Sequence, residues 1–247
     1  MRYFLEIAYN GTRFCGWQRQ PNAISVQEVI ENSIQTLLQE KIETIGCGRT
    51  DTGVHASKYY LHFDTENKSI ENYIPRLNKL VGNDIAIKSI IPVAESAHAR
   101  FDAERRAYKY FITGQKDPFS QETKYYLFNS KLLDTDLLQK TAALFLSYQS
   151  FFPFCKTGSN NLSVDCTLFE SKWEIDEMNQ QFVYMVSANR FLRGMVRLLV
   201  GACLSVASGL LTFEEVKYAL DQQIRLKKSQ SVPPQGLYLC EIVYPYL

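Results

Sequence analysis

The 247-residue sequence predicts an α+β fold made of two ferredoxin-like (split βαβ) halves, residues 1–100 and 101–247, whose antiparallel or mixed sheets flank a central cleft. Three observations carry this expectation. Apolar residues switch between period 2 and period 3.6 over the first hundred residues in the order β-α-β-β-α-β. The same order recurs loosely in the second half. A hydrophobic content of 46% with 21% charged residues suffices to bury a core in one large domain or two small ones.

Residues 2–9, rich in Tyr, Phe, Leu and Ile, read as a strand closed by the turn signal Asn10-Gly11. Ser25 to Glu40 reads as a helix: Ser25 can cap it, Glu28 can reach back in a capping box, and Val26, Val29, Ile30, Ile34, Leu37 and Leu38 recur at helical spacing. Residues 42–47 and 58–64 read as short strands. In SIENYIPRLNKLV (69–81), a second helix, Pro75 requires a kink or a boundary. Residues 84–93 return to strand.

In the second half, 106–114 reads as a strand and 134–148 as a helix with Leu137, Leu138, Ala142, Leu144 and Phe145 on its apolar side. Residues 167–176 and 181–189 pair as a hairpin around the polar EMNQ. Residues 191–209 read as a long, largely buried helix ending at Gly209. Thr212 and Glu215 form a second capping box, and 236–245 close as a strand. Residues 156–165, KTGSNNLSVD, read as a mobile loop.

Charge and cysteine usage exclude several classes. With 27 basic and 26 acidic residues the overall field says little about partners, although basic residues cluster at 100–116, 190–197 and 225–228. Each cluster can equally be a solvated face. Six scattered cysteines without a C-x-x-C pair argue against a disulfide scaffold and a structural zinc site. The chain enters its first strand with no signal-peptide pattern, and its longest apolar run carries an Arg, so a cytoplasmic location is expected.

The stretch GCGRTDTGVHA (46–56) joins two predicted strands. Gly48 and Gly53 permit backbone geometry that other residues resist, so the side chains between them can be held out at an unusual angle. Arg49 and Asp51 lie two apart. A guanidinium beside a carboxylate favours its anion, which suits a nucleophile or base. A polar hairpin turn remains the alternative. No second carboxylate stands at a spacing for two-carboxylate glycosidase chemistry or for Mg²⁺-dependent phosphotransfer. His55 fits a structural role better than a catalytic one.

Other segments offer contacts for a planar, charged ligand. YNGTRFCGWQRQP presents Arg13, Trp17 and Arg19, which read equally as RNA-loop contacts or as an Ω-loop packed on its own Trp and Phe. In AHARFDAERRAYKYF, which also carries Arg105, alternation puts Arg106, Tyr108 and Tyr110 on one strand face. A Tyr beside an Arg can stack on a base while the guanidinium holds a phosphate. In FLRGMVRLLVG, Arg193 and Arg197 stand four apart on one helical face, and a charge within such an apolar helix needs a partner.

In order, YNGTRFCGWQRQ, GRTDTGVHA, HARFDAERRAYKY, FLRGMVRLLVG and PPQGLYLCEIVYP make the chain similar to the TruA family of tRNA pseudouridine synthases. The blocks span nearly the whole sequence, and the second is highly specific to that family. The resemblance implies isomerisation of uridine to pseudouridine at positions 38 to 40 of the tRNA anticodon stem-loop, in a basic cleft formed by a homodimer, without metal or organic cofactor. It implies that Asp51 is the catalytic aspartate, that Tyr108 stacks on the target uracil and that Arg197 pairs with the catalytic carboxylate. It places Arg49 at the RNA or the flipped nucleotide. Separately, the basic residues Arg105, Arg106 and Arg193 are expected to contribute phosphate contacts. Thr52 stands where many members have Ala, and 148–166 lacks a His-Asp-Phe run common among relatives. The alternative reading is a catalytically inactive tRNA-binding or RNA-folding protein on the same scaffold.

Overall fold

The computed structural model describes residues 1–67, 69–156, 158, 163–228 and 230–247. Of the loop expected at 156–165, residues 157 and 159–162 lie outside the described residues. The fold is α+β with mixed parallel and antiparallel strand pairing. Two compact units divide the chain: Met1–Glu104 together with Tyr238–Leu247, and Arg105–Leu237.

The first unit opens with β1 (Arg2–Tyr9), whose run YFLEIAY is nearly continuous in apolar residues. The reason is that both its faces are covered. Tyr3, Leu5 and Ile7 are buried, and Phe4 on the opposite face meets Tyr244 edge-on, with ring centres 5.2 Å apart. Helix α1 (Val26–Leu38) buries Val26, Ile30 and Ile34, as its spacing predicts. Ser25 caps it by accepting from the Glu28 amide at 3.2 Å. The reciprocal arm of the expected capping box is replaced by an ion pair, because the Glu28 carboxylate turns to Arg19 at 3.5 Å.

Strand β2 (Ile45–Gly46) is shorter than expected and pairs antiparallel with β3 (His55–Asp64). A single 3-10 turn at Ile70–Tyr73 leads into α2 (Ile74–Leu80), with Pro75 in its first turn, so the proline marks a boundary. Strand β4 (Ile85–Val93) pairs antiparallel with β1, which also pairs antiparallel with β3.

The second unit contains β5 (Arg105–Thr113), the two-residue β6 (Tyr125–Tyr126) parallel to it, and α3 (Thr135–Leu144), capped by Asp134. Strands β7 (Leu168–Asp176) and β8 (Gln181–Ala188) form the expected hairpin, and β8 pairs antiparallel with β5. Helix α4 (Met195–Ala207) begins later than the sequence suggests. Gly194 sits in the left-handed region (φ 71°) as its N-cap, which leaves Arg193 outside the helix. The expected helical face shared by Arg193 and Arg197 therefore does not exist. At the other end Gly209 (φ +76°) donates to Val206 O and Leu210 donates to Ser205 O, the paired bonds of a Schellman cap.

Helix α5 (Phe213–Gln222) carries the full Thr212/Glu215 capping box. The last strand, β9 (Leu237–Val243), pairs in parallel with β3, His55 opposite Tyr238 and Ala56 opposite Leu239. The end of the chain is therefore part of the first unit's sheet and covers the Phe4 face. Among the described residues no helix is long and apolar enough to cross a membrane.

Candidate active site

Residues 47–54 form the loop between β2 and β3, and the segment 10–17 lies against it. The Trp17 amide donates to Thr50 O at 3.2 Å and the Gly53 amide to Phe14 O at 3.3 Å. The Val54 amide returns to Asp51 O at 3.1 Å, closing a tight turn whose third residue is Gly53 (φ 76°). Gly48 does not share this role. It lies outside the positive-φ glycines, and a Cβ there would meet nothing within 4 Å. Only one of the two glycines that bracket the acidic residue is needed for its backbone.

The other necessary glycines come from the neighbouring segment. Gly16 adopts φ +83°, and a Cβ on it would strike Thr50 O while lying 3.2 Å from the Asp51 carbonyl carbon. A Cβ on Gly11 would strike Val54 O. The spacing of YNGTRFCGWQ thus reflects a backbone-on-backbone contact. Trp17, for which the sequence offers both an RNA-contact and a packed-loop reading, is 3% exposed and lies against Tyr59, ring centres 4.4 Å apart. Its placement matches the packed-loop alternative. Arg13 and Arg19 are exposed. Arg13 pairs with Asp84 at 3.2 Å, and Arg19 with Glu28 and Glu31 at 3.5 and 3.4 Å.

The loop's side chains divide by burial. Thr50 is 8% exposed and its Oγ1 lies 2.9 Å from the Tyr9 hydroxyl, whereas Arg49 is exposed and Asp51 half-buried. The Tyr59 hydroxyl donates to Gly48 O at 2.6 Å. His55 is buried, its Nδ1 accepting from the Gly11 amide at 3.0 Å and its ring stacked on Tyr238. That matches the structural role expected of it. The supports at Tyr9, Thr50 and Tyr59 were not evident from sequence, since strand alternation does not say what a buried hydroxyl reaches.

In the second unit, β5 presents Arg106, Tyr108 and Tyr110 in alternate positions. Tyr110 is fully buried, its hydroxyl donating to Pro233 O at 2.7 Å. Burial, reinforced by Tyr125, pushes its phenol pKa up, and the nearby Arg197 guanidinium pulls against this. Tyr108, two residues nearer the strand's start, is half-buried and meets Phe191 edge-on, ring centres 5.1 Å apart at 87°. Arg197 leaves the third position of α4 and donates from Nε to Val232 O at 2.6 Å. Tyr108, Tyr110 and Arg197 therefore gather within one unit, with Tyr110 against the arginine and Tyr108 next along the same strand face. Arg105 lies 3.9 Å from Glu170, and Arg106 donates to Asn189 O at 3.0 Å. Arg193 is exposed, its carbonyl accepting from the Lys156 amide.

A family model described as tRNA pseudouridine synthase matches residues 7–102 and 147–245. The chain belongs to the tRNA pseudouridine synthase family. The matched residues contain Asp51 and Arg197, while Tyr108 lies in the interval between the two matched stretches. The chain is 39% identical to tRNA pseudouridine synthase A of Porphyromonas gingivalis, covering 99% of this chain and 97% of that protein. It is 38% identical to the protein of that name from Bacteroides fragilis, with 99% and 96% covered. For the one from Thermoanaerobacter sp. the identity is 35%, with 97% and 98% covered.

Proposed function

We propose that this tRNA pseudouridine synthase converts uridine to pseudouridine at positions 38 to 40 of the anticodon stem-loop, with Asp51 as the catalytic carboxylate. The observation that carries the assignment is the division of side chains in the 48–54 loop. The loop backbone is held by the 10–17 segment and by the Tyr59 hydroxyl, and Thr50 is buried while Arg49 is exposed and Asp51 half-buried. A rigidly held carboxylate next to a guanidinium is what a reaction that must meet one ribose or base atom requires.

The reaction breaks the N1–C1′ bond, turns the uracil and forms a C5–C1′ bond; the C5 proton is lost to solvent and N1 takes up a proton, so the product is an isomer of the substrate. Redox change and hydrolysis are absent, so the chain's own groups suffice. The target base must leave the stack, which costs a few kcal/mol and is offset by stacking and phosphate contacts. In this reading the half-buried ring of Tyr108 receives the flipped uracil, Arg197 serves as the guanidinium partner of the catalytic carboxylate, and Arg49 holds the displaced nucleotide. Arg13, Arg19, Arg105, Arg106 and Arg193 supply phosphate contacts. Trp17 contributes by supporting the loop from beneath. The first unit is read as ferredoxin-like from the β-α-β-β-α-β order of β1 to β4, an order the second half follows only loosely. The protein acts in the cytoplasm as a homodimer without cofactor.

The test is tritium release from tRNA labelled at uridine C5, with EDTA present. Release at the wild-type level that vanishes in Asp51→Asn supports the assignment. An inactive wild-type protein that binds tRNA favours an RNA-folding role, and a fully active Asp51→Asn removes Asp51 from the chemistry.

A further inference from the structure

Beneath the Asp51 loop lies a short pile of aromatic rings. Trp17 packs on Tyr59 at 4.4 Å, and Tyr59 meets Tyr9 edge-on at 5.6 Å. The pile has room because residue 46 is glycine; a Cβ there would strike the Tyr59 hydroxyl and lie 2.6 Å from the Trp17 ring. Two phenol hydroxyls leave this apolar support and reach the loop. Tyr59 donates to Gly48 O at 2.6 Å, and Tyr9 lies 2.9 Å from Thr50 Oγ1. Residues 48 and 50 are thus pinned on either side of Arg49, immediately before Asp51. Thr50 is buried, whereas its neighbour Arg49 is exposed and its neighbour Asp51 half-buried.

The geometry points to Tyr59 and Tyr9 as positioning residues for the reaction, acting on Asp51 through the Gly48 carbonyl and the Thr50 hydroxyl. Neither touches the reacting atoms in this role. Each replaces with a directed bond the freedom that a glycine-containing loop otherwise has. Both tyrosines are at most 4% exposed; the Tyr9–Thr50 bond is buried and the Tyr59–Gly48 bond part-buried. The inference deepens the proposed function and rests on Asp51 being the catalytic group.

The sensitive measurement is single-turnover tritium release at saturating enzyme, for Tyr59→Phe, Tyr9→Phe and the double variant. These changes keep the ring packing and remove only the hydroxyls. Because a displacement of about 1 Å at a reacting group can cost about 10²-fold in rate, each single variant is expected to lose about 10-fold and the double variant about 10²-fold. KM for tRNA and the fraction of folded protein should stay near wild type. Thr50→Val, which removes the Tyr9 partner, should match Tyr9→Phe, and Thr50→Ser should restore the rate. A purely structural role would instead lower thermal stability and the active fraction, with the rate per active site unchanged. Variants whose single-turnover rate stays within about two-fold of wild type, while Asp51→Asn is inactive, overturn this inference and leave the function reading intact. A fully active Asp51→Asn overturns both.

Discussion

Tyr110 and Arg197 close on consecutive carbonyls: the phenol donates to Pro233 O at 2.7 Å and the guanidinium Nε to Val232 O at 2.6 Å. The segment they hold runs directly along α4. The Val232 amide donates back to Arg197 O at 3.3 Å, and a Cβ on Gly201 would strike Gln230 O. Arg197 is therefore oriented by the backbone of the segment that lies along its own helix, a fixed fork rather than a flexible charge.

A fork anchored through Nε cannot be copied by an ammonium group. Arg197→Lys is expected to lower the turnover rate at least about 10²-fold, with little change in tRNA affinity. Tyr110→Phe should lower stability by about 1 kcal/mol through the lost hydrogen bond to Pro233. Tritium release and urea unfolding separate the two effects. An Arg197→Lys variant with the wild-type rate would show that the guanidinium geometry is not used.

The contact of Gly16 with the loop gives a sharper test of how that loop is held. Gly16→Ala meets both a left-handed backbone at φ +83° and a clash with Thr50 O, neither of which a side-chain shift can relieve. A loss of roughly 2–4 kcal/mol of stability is expected, with a fall in activity larger than the unfolded fraction explains. Gly48→Ala, with nothing within 4 Å of its Cβ, should be neutral or stabilising by up to about 1 kcal/mol. Equal effects of the two substitutions on unfolding would contradict the account of the loop.

His62 provides a pH signature for the first unit. Its Nδ1 accepts from the Ala99 amide at 3.0 Å, which only a neutral imidazole can do. Burial, helped by Arg2 and His98, pushes its pKa from 6.5 down to about 4, against the pull of Asp64 and Asp102. Between those values the unfolded chain binds a proton that the folded chain refuses. Stability is therefore complete above about 6.5 and falls as the pH drops toward about 4. His98 is displaced in the same direction, by burial first, and adds to the slope. His62→Asn retains an acceptor without the titration. The wild-type advantage over it should shrink by on the order of 2 kcal/mol between pH 7 and about 4.5, measured by denaturant unfolding. A pH-independent difference would place the acid sensitivity elsewhere.

Much of this was legible in the chain itself. Periodicity located β1, α1, β4, α3, the β7–β8 hairpin and the Thr212/Glu215 cap, because these depend on residues a few positions apart. The Arg49–Asp51 loop was visible as a polar interval between strands with glycines nearby. Tertiary structure decided what covers each face and which backbone approaches which. It made β9 a parallel neighbour of β3, so Phe4 is buried where alternation alone would allow a wet face. It placed Trp17 under Tyr59, and the backbone of the 47–54 loop against Gly11 and Gly16. It started α4 at a left-handed Gly194, separating Arg193 from Arg197. Local pattern reports that a residue prefers burial; the partner that buries it is fixed by contacts between segments far apart in sequence, which no short-range spacing encodes.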